Sequence, residues 1–420
     1  MSEKPVILVG AGLAGVTGFY ELVSRGVPAV LVDAADEVAT GASFANGAVL
    51  HPSLPDPWNS PGVGWPLLQS LFNPSAAMRL HMRHLPALMG WGLSFLRHST
   101  KRRYAASSAA NYALADYSTR QTMALKQKLN LQFEAASPGT LKLFRNAAQK
   151  QAALALAESL AAQGLRYEVL SRADLVAREP SLASAEDVAG ALHFPDDMVG
   201  NARLFCQKLA DEAVALGGQL RLGVSVTDLL QEGGRVVGVR LGAEELRGDV
   251  VLTGGVGAPK LARTVGCRLP VRPVKGYSLT VPTQGIAETL PQHPLVDPHL
   301  HIAMTPLPGR IRILGMAEFG GFDTTIDPGR AGLLRQFFTR LMPDLAAQLD
   351  WQAADVWAGL RPMSADGRPF IGPTRIDGLF VNCGHGHLGW TMAVGSARLL
   401  ADQMTGTNPE NDAAAFAATR

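Results

Sequence analysis

Cysteine is scarce in this chain: Cys206, Cys267 and Cys383 are the only three in 420 residues, and no two form a CxxC pair. That leaves no basis for a disulfide framework or a thiolate zinc site, and it fits a reducing compartment. Charge is also thin, at 18% of residues, against about 25% in an average soluble protein. The hydrophobic share is 47%, enough for a large buried core, so disorder as the main state is excluded. Neither sign dominates. The 38 Lys and Arg face 36 Asp and Glu, and a net +2 does not mark a nucleic-acid binder. Long apolar runs are missing too. Residues 6–20 are uncharged but cover only 15 positions, short of the roughly 20 a membrane helix needs. Glu3, followed by spaced glycines, does not read as a secretory signal. The expected location is cytoplasmic.

Glycine, by contrast, is abundant at 44 residues without a short repeat, which points to tight turns and close backbone approaches. At about 150 residues per domain the length predicts two or three domains. The chain opens as strand (Val6 to Val9), helix (Leu13 to Val23, closed by Arg25-Gly26) and strand (Ala29 to Val32). Helical spacing returns over Ala147 to Gln163, Ala202 to Leu216, and near 329–341 and 394–404. Strands are expected from Arg166 to Leu170, within 219–230, and over 235–241 and 249–253. The stretch 270–320 alternates strand-like runs with Pro and Gly, which predicts a mostly antiparallel sheet.

Acidic residues are absent between Asp56 and Asp116, while Arg79, Arg83, Arg97, Lys101, Arg102 and Arg103 are all present. They flank an uncharged run from Leu85 to Leu96. A basic-flanked apolar helix with a Trp can lie in a membrane interface beside anionic lipid, giving peripheral attachment to the inner face of the cytoplasmic membrane. The alternative is a helix packed on the core with solvated arginines at its ends.

The first motif with chemical content is Gly10-Ala11-Gly12-Leu13-Ala14-Gly15, directly after the first strand. Gly10 permits the tight turn, Gly12 lets a pyrophosphate approach the backbone, and Gly15 lets helix and strand pack closely. The helix N-terminus offers unpaired amides to phosphates. Asp33 ends the second strand, where a carboxylate accepts hydrogen bonds from a ribose diol and disfavours a 2′-phosphate, and so NADP. A second glycine-rich block, Gly384-His385-Gly386-His387-Leu388-Gly389-Trp390-Thr391, precedes the last helix. A second helix start of that kind can stabilise negative charge growing on a reduced flavin ring. The polar turn Thr40 to Gly47 and the run Val251-Leu252-Thr253-Gly254-Gly255 supply further small residues.

These blocks, with Phe44-Ala45-Asn46-Gly47, Gly139 to Phe144, Lys275 to Thr280, Arg310 to Glu318, Gly359 to Met363 and Asp366-Gly367, resemble bacterial D-amino acid dehydrogenases. The broader group is the D-amino acid oxidase-like FAD-dependent oxidoreductases. The resemblance runs from residue 6 to about residue 404. It implies an α/β fold: a Rossmann-type FAD-binding domain (1–50, 195–268 and 355–420) with an interleaved α+β substrate domain (51–194 and 269–354) on a mostly antiparallel sheet.

The same resemblance implies non-covalent FAD. Gly10, Ala11, Gly12, Leu13, Ala14, Gly15, Asp33 and Ala34 would serve the ADP half, and Val226, in a strand Ser225-Val226-Thr227, would present its backbone to adenine. Ser43, Asn46, Gly47, Thr253 and Gly254, and on the opposite side Gly386, His387, Leu388, Gly389, Trp390 and Thr391, complete the cofactor set. Arg361 matches the arginine that holds the substrate carboxylate, a suitable choice because a guanidinium fork binds a carboxylate bidentately. Tyr277 and His301 are candidates for the pocket wall, and His385 for a flavin contact. The implied reaction is oxidative deamination of a D-amino acid, with electrons passed to a quinone or another carrier. Alternatives are an oxidase or dehydrogenase of glycine, sarcosine or a cyclic imino acid, and a membrane-docked electron-relay subunit. Pro298-His299-Leu300-His301 and His387, where Thr is common, depart from the usual pattern and leave the substrate side chain open. No metal site is expected, because the His385–His387 pair has no carboxylate or cysteine at ligand spacing.

Overall fold

A computed structural model of the chain describes residues 4–70, 73, 76–286 and 290–420. The opening strand Val6–Val9 is buried on both faces, as a central parallel strand must be. It pairs in parallel with Ala29–Val32 on one side and Val250–Leu252 on the other. Gln219–Arg221 extends the sheet beyond Ala29–Val32, while Leu379–Cys383 and then Phe370–Pro373 close the far edge, giving six strands. Helix Leu13–Ser24 crosses back over this sheet and buries Phe19 and Leu22. It stops at Gly26, whose φ of 75° is the left-handed conformation that glycine tolerates.

On the helical face, Leu13–Ser24, Ala202–Ala215 and Ala393–Thr405 share one core with the 29-residue helix Lys101–Leu129. That long helix buries Ser107, Ser108, Asn111, Ser118, Thr119 and Thr122. Ser108, Thr119 and Thr122 return their hydroxyls to carbonyls four residues back, and Asn111 donates to Pro55 and Gly367 carbonyls. A face this polar carries no clear apolar period, so spacing does not reveal it. The opposite face of the sheet is covered by the antiparallel ribbon Asp228–Glu232, Arg235–Leu241 and Glu244–Arg247, and by helix Ala258–Thr264.

Among the described residues the second sheet has nine strands. Its spine is the twelve-residue strand Val271–Pro282, antiparallel to Arg310–Phe319 and to Asp355–Ser364. Ile302–Leu307 and Leu295–Asp297 continue it to Thr140–Phe144, Gly190–Phe194 and Glu168–Ser171. Helices Pro328–Leu341 and Pro343–Gln348 cover one face.

Three placements differ from expectation. Asp355–Ser364 was grouped with the first sheet's segments on sequence, but its hydrogen bonds run to Val271–Pro282 in the second. Residues 101–129, grouped with the substrate part, pack on the first sheet's helices. Val226 lies in no strand: it sits in the irregular segment between Gln219–Arg221 and Asp228–Glu232, half-buried against the ribbon side of the core.

The segment 51–58 joins the two sheets and is fixed by Asp197. That side chain is fully buried and accepts from the Ser53 Oγ at 2.5 Å and the Ser53 amide at 3.3 Å. Burial pushes its pKa up to about 7, above the unfolded value of about 3.9. The folded state therefore holds a proton that the unfolded chain has lost, so this contribution to stability is present below about pH 4 and lost as pH rises through about 7. Asp197→Asn should mimic the protonated form. Thermal denaturation from about pH 4 to 8 should show the variant's Tm rising relative to wild type as pH increases, whereas parallel curves would contradict the assignment.

Candidate active site

The ends of the parallel strands and the spine of the second sheet enclose a cavity of about 890 Å³. At one end the glycine-rich turn is held without room for side chains. A Cβ on Gly10 would stand 2.5 Å from the Gly254 Cα, and one on Gly15 would stand 1.8 Å from the Gly10 carbonyl oxygen. Thr253 ties the two turns together by donating to the Val9 and Gly10 carbonyls at 2.9 and 2.8 Å. Asp33 accepts from the Ala11 amide at 2.5 Å and the Ala35 amide at 2.9 Å, so the acid is aimed at the turn from the end of its strand. Ser43 Oγ accepts the otherwise unpaired Leu13 amide at 3.2 Å.

The next wall is the turn at 43–48. Its carbonyls at Ala45, Asn46 and Gly47 accept from Ser278 Oγ, Arg312 Nη1 and Thr305 Oγ1 at 2.9, 3.0 and 2.7 Å, three donors on three strands of the second sheet. Opposite stands the second glycine-rich block. Gly384 and Gly386 have φ of 84° and 60°, so both turns need glycine. Trp390 Nε1 donates to the Gly200 carbonyl at 3.0 Å, and Thr391 Oγ1 accepts from the His51 amide at 3.1 Å. His385 is buried, its Nε2 3.1 Å from Ser396 Oγ, and burial pulls its pKa down to about 4.

The far end holds Arg361, on Asp355–Ser364. Its guanidinium lies over Gly276, where a Cβ would come within 1.9 Å of Nη1. Nη1 donates to the Met316 carbonyl at 3.1 Å, and the guanidinium carbon sits 5.5 Å from the Trp58 ring centre. Burial alone moves its pKa, down to about 10, so the side chain stays charged at neutral pH and no described carboxylate supports that charge. Tyr277 is almost fully buried on the spine strand, with Lys275 Nζ 5.4 Å from its ring centre. His301 has φ of 54° at the end of a loop fixed by Asp297, which accepts the His299 and Leu300 amides and a two-toothed contact from Arg145 at 2.7 Å.

The cavity thus brings together Gly10, Ala11, Gly12, Leu13, Ala14, Asp33, Ser43, Asn46, Gly47, Thr253, Gly254, Gly386, His387, Gly389, Trp390, Tyr277, His301 and Arg361. Five expected residues stand off its wall. Gly15 packs helix to strand, Ala34 faces solvent beside Asp33, Leu388 belongs to the helical core, Thr391 holds the His51 backbone, and Val226 lies against the ribbon side. Sequence reasoning passed over His51, Asp56 and Trp58, which also line the cavity. The run His51-Pro52-Ser53-Leu54-Pro55-Asp56-Pro57-Trp58 has no motif spacing, and its prolines read as a plain connector.

The sequence model described as FAD dependent oxidoreductase matches residues 5–403. Curated D-amino acid dehydrogenases from Rhizobium johnstonii and Sinorhizobium medicae are 38% and 39% identical, each over 99% of both chains. This chain belongs to the FAD dependent oxidoreductase family. Among solved structures of similar fold, glycine oxidase from Geobacillus kaustophilus aligns at a TM-score of 0.77 with 24% identity, over 99% of this chain and 98% of that one. The L-proline dehydrogenase from P.horikoshii aligns at 0.79 with 16% identity, over 100% and 98%. The enzyme uses FAD, and the cavity suits it: a side-chain-free groove along Gly10–Gly12 and Gly254 can take a pyrophosphate, with a carboxylate at its rim for a ribose. Changing Asp33→Ala should weaken FAD retention by about 1.5–3 kcal/mol per lost charge-assisted hydrogen bond. Flavin absorbance after gel filtration checks this, and unchanged retention would show that the ribose is held elsewhere.

Proposed function

We propose that this enzyme oxidises D-amino acids at FAD, releasing a 2-oxo acid and ammonia, and passes the electrons to a quinone or similar carrier. Arg361 carries the reading: a half-buried, charged guanidinium in the substrate half of the cavity, whose described partners are one carbonyl and one ring face. Such a group is complete only with an anion, and an α-carboxylate fits its planar fork. FAD supplies the hydride acceptor when bound. The chain's own part is to hold the carboxylate on Arg361, aim the Cα hydrogen at the ring and exclude water with the walls at 43–48 and 384–390. The full-length similarity to D-amino acid dehydrogenases supports the D configuration.

Arg361→Lys keeps charge but loses the fork, so KM should rise and anaerobic flavin reduction should slow. Arg361→Ala should cost about 3–5 kcal/mol in kcat/KM, because the carboxylate would be buried unpaired. A panel of D-alanine, L-alanine, glycine, sarcosine and a simple amine reads the assignment. Wild type should favour D-alanine over the amine, and a variant that keeps that preference would move the carboxylate site to another residue. No bleaching by any D-amino acid would overturn the function itself.

We propose a lipid contact to match a membrane-borne acceptor. Helix Leu85–His98 packs inward through Leu88, Trp91 and Phe95, but Met89, Leu93 and Leu96 point outward, 64%, 66% and 48% exposed. Met82, Trp65 and Leu68 extend the exposed apolar surface. The acid-free stretch around it carries Arg79, Arg83, Arg97, Lys101, Arg102 and Arg103, so the occupant favoured by charge is an anionic bilayer. No helix among the described residues is long and apolar enough to cross a membrane. The protein should sediment with anionic vesicles at low salt and come off near ~0.5 M salt, where screening is short. Met89→Asp with Leu93→Asp should abolish sedimentation while leaving flavin reduction by D-alanine intact; equal binding to neutral vesicles would count against it.

A further inference from the structure

Four cavity-lining side chains form one column. The rings of His51 and His387 stack with centres 6.3 Å apart and planes 14° apart, and those of His387 and Trp58 at 5.6 Å and 17°. Arg361 follows, 5.5 Å from the Trp58 ring centre. Hydride leaves an amino acid only when its nitrogen is a neutral amine, yet at neutral pH the substrate arrives as an ammonium ion. Somewhere in the cavity a proton must be taken up.

We propose that His387 accepts the ammonium proton of the substrate after its carboxylate has seated on Arg361, with His51 and Asp56 as positioning residues behind it. The proposal rests on the amino-acid reading of the site given above. In the step an ammonium N–H bond breaks, the proton joins the lone pair of a His387 ring nitrogen, and the electron pair stays on the substrate nitrogen as the free amine. No oxidant or reductant takes part.

The surroundings of His387 make it an acceptor that substrate binding turns on. From its own block, His385 is already engaged with Ser396. From the segment 51–58, the Leu54 backbone and Asp56 favour a proton on His387 and His51 opposes it; from Asp355–Ser364, Arg361 opposes it. Burial is the largest opposing cause, and in the free cavity the pKa stands at about 4. The imidazole is therefore neutral, with a lone pair available. A carboxylate on Arg361 cancels the guanidinium's field and raises the proton affinity of His387 at the moment the ammonium arrives. Asp56 then faces the new imidazolium. Its described partner is the Tyr104 hydroxyl at 3.3 Å on the long helix, whereas Asp297, another cavity carboxylate, is occupied by Arg145. His51 Nδ1 is buried with no hydrogen-bond partner among the described residues, so it can pass the proton on or hold a water between the rings.

The test is single-turnover flavin reduction by D-alanine in the anaerobic holoenzyme, wild type against His387→Gln, followed from about pH 6 to pH 10. The variant should be about 100-fold or more slower at neutral pH and should converge on wild type near pH 10, where the substrate amine is already largely neutral. A wild-type to variant ratio that does not change with pH marks a structural role and overturns the proposal, as does an unchanged rate at neutral pH. A second measurement avoids turnover: in ¹⁵N-histidine-labelled enzyme, propionate at a concentration that perturbs the flavin spectrum should move the His387 titration upward. A titration that stays in place overturns the proposal. If D-alanine and the rest of the D-amino acid panel fail to reduce the wild-type flavin, the functional reading falls instead and takes this step with it.

Discussion

A half-buried guanidinium with no carboxylate partner among the described residues is the constraint around which this cavity is built. Taking a charge out of water is costly unless polar partners replace the solvent, and Arg361 has one carbonyl and one aromatic face. Its position is possible because Gly276 and Gly359 are register partners on adjacent strands. The guanidinium lies over the first, and the Trp357 ring crowds the second, where a Cβ would meet it at 2.0 Å. Two missing side chains open a window in the sheet, and the charged fork occupies it. Around that window Arg145 is paired with Asp297, and Arg330 with Glu318, which also faces Lys275, while Arg312 is tied down by the Thr280 hydroxyl and the Asn46 carbonyl. The contrast marks Arg361 as the group left for a ligand.

The two sheets meet through backbone rather than through side-chain packing alone. Three consecutive carbonyls of the turn at 45–47 are taken by donors from three strands. Ser53 and Asp197 fix the neighbouring segment 51–58 in the same manner. A reaction that depends on sub-ångström placement of a hydrogen against a ring needs walls of this rigidity. Both walls lie on loops, but each loop is held by the elements flanking it.

The first sheet and its turn were legible because three constraints coincide: the strand–helix–strand alternation, glycines where a Cβ would collide, and an acid at the strand end. Helices Ala202–Ala215, Pro328–Leu341 and Ala393–Thr405 were legible through their apolar periods and Gly or Pro boundaries. Lys101–Leu129 was not, since Ser, Thr and Asn side chains, some bonded to the helix itself and some to neighbouring segments, interrupt the apolar residues on its buried face. His51, Asp56 and Trp58 were invisible for another reason. Their importance comes from meeting Arg361 and His387, more than 300 residues further on, and nothing local records it. The strand expected at Ser225-Val226-Thr227 was misplaced: apolar residues between glycine and charge read as extended pairing, whereas the chain there crosses from one sheet to a separate ribbon.

The pairing of Val6–Val9 with Val250–Leu252, and of that strand with Leu379–Cys383, has a consequence during synthesis. Val6–Val9 acquires its inner neighbour only after some 240 further residues have been made. The block that closes the cavity, Gly384 to Thr391, comes later still. Contacts of such sequence separation slow folding and leave apolar strand edges uncovered meanwhile. The coenzyme groove is thus assembled from segments far apart in the chain, and it is complete only once Gly384 to Thr391 has been made. A chain cut between Asp33 and Leu379 would carry the nucleotide turn without the block that closes the chamber.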